Sequence, residues 1–90
     1  MINIGLIGFG YWGPNLARNF NTNPDLNLAA ICDFSEERLE TARRMYPQAC
    51  VCTDEQTLFE DDSLDAIAIS TPVTTHYKLA KSALSAGKHV

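Results

Sequence analysis

No acidic side chain falls between Met1 and Pro24, although the 90-residue chain carries a net charge of −4. The early part of the chain can therefore meet an anion without like-charge repulsion. The same overall charge argues against non-specific binding to nucleic acid or to an anionic membrane surface. No stretch approaches the roughly 20 apolar residues that cross a bilayer, and the short apolar run at the N-terminus has no basic leader, so no secretory signal is expected. Cysteine is scarce. Three thiols cannot all pair, which suits a reducing cytoplasm. Cys50-x-Cys52 lacks metal-ligand spacing and has no neighbouring histidine, so no metal is expected, and all three thiols read as small buried hydrophobes. Internal repeats and low-complexity linkers are also missing, which leaves one small domain that buries only about 60 to 65% of its unfolded surface.

What is present is concentrated at the start. An apolar run, Ile2 to Ile7, leads into Gly8-x-Gly10-x-x-Gly13, and a helix-like segment follows. In a dinucleotide-binding turn each glycine has a task. Gly8 allows the tight strand-to-helix turn, Gly10 lets a pyrophosphate approach the backbone, and Gly13 lets the helix pack closely on the strand. The free N–H groups of the first helical turn and the positive end of the helix dipole then face the phosphates. Pro14 costs nothing there, because its missing N–H would have had no helical partner. Tyr11 and Trp12 read as packing residues whose backbone N–H groups face the pyrophosphate.

Along the chain, strands are expected at Ile2 to Ile7, Leu26 to Cys32, Ala49 to Cys52 and Leu64 to Ser70. The first is apolar on both faces, as a central parallel strand should be. Helices are expected from about Tyr11 to Phe20, burying Trp12, Leu16, Ala17 and Phe20, and after Ser35 as N-cap, burying Leu39, Ala42, Met45 and Tyr46. A brief helical piece from Asp54 to Phe59 is capped by Thr53. A last helix from about Thr74 to Ala86 turns Leu79, Ala80, Ala83 and Leu84 inward and ends with Gly87 at C′. Lys88-His89-Val90 reads as the opening of a fifth strand, at which the chain stops. The alternation of strand and helix predicts right-handed βαβ units and an α/β, doubly wound parallel sheet, a Rossmann domain of order 3-2-1-4-5 truncated in its fifth strand. Its crevice lies at the C-terminal ends of strands one and four.

Two further groups fall on that edge. Asp33 ends strand two, 20 residues after Gly13, where a carboxylate accepts hydrogen bonds from the adenosine ribose hydroxyls. A 2′-phosphate would meet the same carboxylate as a like charge, and no Arg or Lys follows at positions 34 to 37, so NAD is expected over NADP. Arg38 is the nearest residue able to hold such a phosphate. Ser70, Thr71 and Pro72 either end strand four or reach a cofactor's ribose or phosphates. His76, in the first turn of the next helix, reads on position alone as a surface or hydrogen-bonded structural residue.

Taken together, Gly8-x-Gly10-x-x-Gly13, Asp33, Ser-Thr-Pro-x-x-x-His from Ser70 to His76 and Ala-Leu-x-Ala-Gly-Lys-His-Val from Ala83 to Val90 resemble the Gfo/Idh/MocA oxidoreductase family. Where that family often has Asn after the proline, this chain has Val73. The resemblance implies cofactor contacts at the three glycines and at Asp33, Ser70, Thr71 and His76. It also implies a fragment of a longer enzyme, because family members continue into a Glu-Lys-Pro motif whose lysine assists catalysis and then a substrate domain, neither present here. The implied parent is an NAD-dependent dehydrogenase of sugars, polyols or nucleotide-sugars, with residues 1–90 as its dinucleotide-binding domain and no activity expected of this chain alone. Expected partners are the dinucleotide, a sugar-type substrate and other copies of the chain. A dinucleotide sensor acting through a partner is the competing reading from another class.

Overall fold

A computed structural model describes residues 1–90. Its elements are β1 (Ile2–Ile7), α1 (Gly13–Thr22), β2 (Leu26–Cys32), α2 (Glu36–Met45), β3 (Cys50–Cys52), α3 (Gln56–Phe59), β4 (Ala66–Ile69), a 3₁₀ turn (Val73–Thr75) and α4 (His76–Ser85). The four strands form one sheet in the order β3-β2-β1-β4, and every pair is parallel. Beside β4 the chain's last segment has begun to pair. Ile67 donates to the His89 carbonyl at 2.8 Å and His89 donates to that of Asp65 at 3.0 Å. The expected order is therefore the observed one, with β1 at the switch point between β2 and β4.

Two apolar clusters cover the two faces. On one, Ile4, Leu6, Phe9, Leu28 and Ile31 pack with Ala17 of α1 and with Leu39 and Ala42 of α2. On the other, Ile7, Ala30, Cys32 and Ile67 pack with Leu58 and Phe59 of α3 and with Leu79 and Ala83 of α4. Strands clothed on both sides must be apolar throughout, which is why β1 and β2 lack polar alternation. No helix is long and apolar enough to cross a membrane.

Several expected details differ. Helix α1 starts at Gly13, so Trp12 precedes it and is exposed rather than sharing the stripe of Leu16, Ala17 and Phe20. Phe9 takes the core position instead, set edge-on to the Tyr46 ring at 6.4 Å. Met45 points to solvent because α2 unwinds at Tyr46, whose ring turns under Phe9. The brief helix is a single turn, begun by the Asp54 carboxylate accepting from Gln56 N at 3.0 Å, not by Thr53. So short a helix covers Cys52 only in part and leaves Cys50 exposed, contrary to the expected burial. Cys32 alone is fully buried. On α4 the buried seam is Leu79 and Ala83, and Leu84 faces solvent because only this narrow strip meets the sheet. Ser35 caps α2 as expected, accepting from Arg38 N at 3.3 Å, and Gly87 follows α4 with φ of 83°.

Candidate functional site

The C-terminal edge of the sheet opens into a crevice of about 920 Å³ where the loops after β1, β2 and β4 converge. Gly8, Gly10, Tyr11, Trp12, Asp33, Ser70, Thr71 and His76 all line it. Gly13 does not. It is buried behind the loop, where an added Cβ would collide with the Gly8 carbonyl. Gly8 has φ of 101°, and a Cβ there would lie 2.5 Å from the Ser70 carbonyl oxygen. The first and third glycines therefore fold the loop itself. Gly10 differs in kind: the nearest atoms to a Cβ there are not backbone but the guanidinium of Arg38, with Nη1 at 3.0 Å.

Phe9 anchors this loop in the core, and that fixes what its neighbours present. The backbone N–H groups of Gly10, Tyr11, Trp12 and Gly13 take no partner within the chain, whereas those of Asn15 and Leu16 bond to the Trp12 carbonyl at 3.0 and 3.1 Å. Unsatisfied N–H groups at the start of a ten-residue helix, on a loop free of acids, fit a diphosphate. Tyr11 and Trp12 are exposed and lie edge to face against each other at 6.1 Å, so neither serves the core as expected.

Across the loop, the Asp33 carboxylate is 8% exposed and already tied down. Oδ2 accepts from Phe9 N and Oδ1 from Ser35 N, both at 2.8 Å. Arg38 Nη1 stands 3.7 Å from Oδ2. Each carboxylate oxygen retains a lone pair, so the acid can still accept from a diol while it laces the glycine loop to the β2–α2 turn. Cys32, just before it, has its thiol pKa pushed far above the usual range by burial, so it stays protonated and is no nucleophile.

The third wall is an ordered hydroxyl chain. Thr75 Oγ1 donates to the Pro72 carbonyl at 2.7 Å, so at its 2.6 Å contact with Thr71 Oγ1 it must accept. Thr71 thus has lone pairs left for a ligand. His76 Nε2 lies 2.7 Å from the Thr71 carbonyl oxygen, which can only accept. The proton is therefore on Nε2, and Nδ1 is the unused ring nitrogen. Sequence reasoning did not single out Phe34, Glu55 and Lys78, which share the crevice, and gave Arg38 only a conditional role. Their spacing carries no motif, and only the topology assembles them. No group of three or more His, Cys, Asp or Glu is arranged to hold a metal.

A parallel, doubly wound sheet with a glycine turn at its switch point and an acid ending β2 defines a Rossmann dinucleotide-binding domain. The sequence model of the Gfo/Idh/MocA family, described as an oxidoreductase family with an NAD-binding Rossmann fold, matches residues 2–90, and the chain belongs to that family. The chain is 39% identical to the uncharacterized oxidoreductase YdgJ of Escherichia coli K12, covering 99% of this chain and 25% of that protein. It is 29% identical to glycosyl hydrolase family 109 protein 4 of Phocaeicola vulgatus, over 100% of this chain and 19% of that one. The structure matches scyllo-inositol dehydrogenase of Lactobacillus casei, crystallised with NAD(H) and scyllo-inositol, with a TM-score of 0.92 and 31% identity, covering all of this chain and 27% of that one. The chain thus spans between 19 and 27% of the length of these relatives.

Proposed function

We propose that the chain is the cofactor-holding domain of an oxidoreductase that uses NAD in preference to NADP and acts on a sugar, polyol or nucleotide-sugar. The observation that carries this reading is the row of unpartnered N–H groups on Gly10, Tyr11 and Trp12, residues that line the same crevice as Asp33. In it, the loop of Gly8, Gly10 and Gly13, with the N–H groups of Tyr11 and Trp12, cradles the pyrophosphate, and Asp33 accepts from the adenosine ribose. Ser70, Thr71 and His76 hold the wall on the β4 side. NAD, when bound, supplies the ring that accepts or donates a hydride, and this chain's residues supply orientation. The substrate class rests on relatives whose names are those of an inositol dehydrogenase and of glycosyl hydrolases, and its recognition belongs to parts of the parent enzyme outside residues 1–90. Three unpaired thiols fit a cytoplasmic setting.

Calorimetric titration tests the reading. NAD should bind more tightly than NADP by about 1 to 3 kcal/mol, and Asp33→Ser should narrow or invert the gap. A wild-type preference for NADP would reverse the assignment of Asp33 and give Arg38 the leading part. Absence of binding by either dinucleotide would sink the cofactor reading as a whole.

A further inference from the structure

Cys32 and Cys52 end neighbouring strands and stand directly opposite each other in the β2–β3 register. Both side chains belong to the cluster beneath α3 and α4, Cys32 within it and Cys52 packed against it, so they share one face of the sheet. Neighbouring strands run about 4.7 to 4.9 Å apart, inside the Cα window of about 4.4 to 6.8 Å that a disulfide spans. The other pairings do not fit. Cys50 is paired with Ala30, two residues back from Cys52. At a rise of about 3.3 Å per residue, its Cβ stands well beyond the roughly 3.5 to 4.5 Å that a bridge to Cys52 allows. The diagonal from Cys50 to Cys32 is longer still. The Cys52 thiol donates to the Asp54 carbonyl at 3.5 Å, which leaves the lone pairs of its sulfur for the Cys32 thiol beside it. Strand β3 has three residues and lies at the sheet edge, so it can close on β2 with little disturbance to the core.

We propose that Cys32 and Cys52 form a peroxide-sensitive dithiol, in which Cys52 is the sulfur oxidised first and Cys32 the one that resolves it into a disulfide. Solvent reaches Cys52 in part, whereas Cys32 is 1% exposed and meets only a sulfur already beside it. In the first step the Cys52 sulfur takes one oxygen from hydrogen peroxide. The O–O bond breaks, the thiol is oxidised to a sulfenic acid, and the peroxide is reduced to water. In the second step the S–S bond forms as the S–O bond breaks, and the Cys32 proton departs with the hydroxyl as a second water. Cys32 therefore does not ionise beforehand, in keeping with a pKa that burial holds far above the usual range. Burial also raises the Cys52 pKa, with the Asp54 carboxylate and Cys50 adding to it, so the first step is slow at neutral pH. The bridge clamps β3 to the end of β2 that leads into Asp33.

The test treats the 90-residue chain with hydrogen peroxide and maps its unreduced peptides by mass spectrometry. The expected product links the peptides of Cys32 and Cys52 with the loss of two hydrogens, and dithiothreitol reverses it. Closing the segment between them should raise the melting temperature by roughly 5 to 20 °C. Cys50→Ser, which removes the exposed thiol and leaves the pair intact, should form the same bridge. In that background Cys52→Ser should leave Cys32 unoxidised. Cys32→Ala should strand the sulfenic acid, so that dimedone labels Cys52 about tenfold more than when Cys32 is present. An unmodified Cys32 after peroxide treatment, or a bridge made through Cys50, overturns the assignment. So does dimedone labelling of Cys52 that is the same with and without Cys32. The peptide map of the wild-type chain decides the matter even where replacement of the buried Cys32 prevents folding.

Discussion

The Asp33 carboxylate has a structural part that its bonds show and a ligand part that the cofactor reading proposes. The proposed part, acceptance from a ribose diol, comes from its position at the end of β2 and its distance to Gly13. Its bond to Phe9 N, 24 residues away, is not legible, because only the parallel pairing of β1 with β2 brings the two loops together. Asp33→Ala should therefore cost about 2 to 4 kcal/mol of stability, since one buried and one partly buried charge-assisted hydrogen bond vanish, as well as weakening NAD. Urea curves beside the titration decide this, and a loss below about 0.5 kcal/mol would reduce the acid to a ligand contact alone. Cys32 gives a pH signature. Burial raises its thiol pKa well above the ordinary 9.0, so the unfolded chain releases a proton that the folded chain keeps. Stability is then undiminished below the unfolded value and falls as pH rises through it, by about 1.4 kcal/mol per pH unit. Cys52 is also raised, chiefly by burial, and adds in the same direction. Urea melts from pH 7 to 10 should show this slope, and Cys32→Ala should flatten it.

Among the elements, the glycine loop divides into Gly8 and Gly13, which the backbone leaves no room to replace, and Gly10, which the cofactor reading assigns to the pyrophosphate. Gly8→Ala meets both a positive φ and the Ser70 carbonyl, so it should lower stability by about 1 to 3 kcal/mol or more. Gly10→Val puts its Cβ against the end of the long Arg38 side chain, which can shift, so its far-UV spectrum should stay intact while NAD binding is abolished. Equal destabilisation of both variants would erase the distinction. The boundaries of β1 and β2 were legible because unbroken apolar runs bounded by turn residues admit little else. The start of α1 was not, since a helical stripe through Trp12 looks the same as one begun at Gly13 until Phe9 claims the core. Cys50 and Leu84 were misread for a related reason: periodicity tells which face a residue is on, not whether an element is long enough to cover it. Phe34 and Lys78 carry no pattern and were invisible to any rule of spacing. Lys88 was legible only as part of a tail. Its ammonium is buried and donates to the carbonyls of Asp61 and Leu64 at 2.7 and 3.1 Å, tying the segment after α4 to the turn before β4.

For the molecule as a whole, two thin cores on either side of a four-stranded sheet leave little stability in reserve. Ligand linkage should therefore be large on the thermal scale. NAD at 100 times its dissociation constant adds about 2.7 kcal/mol, which in a domain of this size raises the melting temperature by roughly 10 to 20 °C. A dye-monitored melt checks this, and a shift under about 2 °C at saturating NAD would contradict it. The lacing of two loops through Asp33 also bears on how such a domain can change over generations. A lineage drifting toward a 2′-phosphorylated cofactor would exchange the acid at a cost in stability, because the same substitution removes the acceptor that ties the glycine loop to the turn that begins α2. Changes that first give Phe9 N and Ser35 N other acceptors would remove that cost, so cofactor choice at position 33 is tied to folding as much as to the ligand.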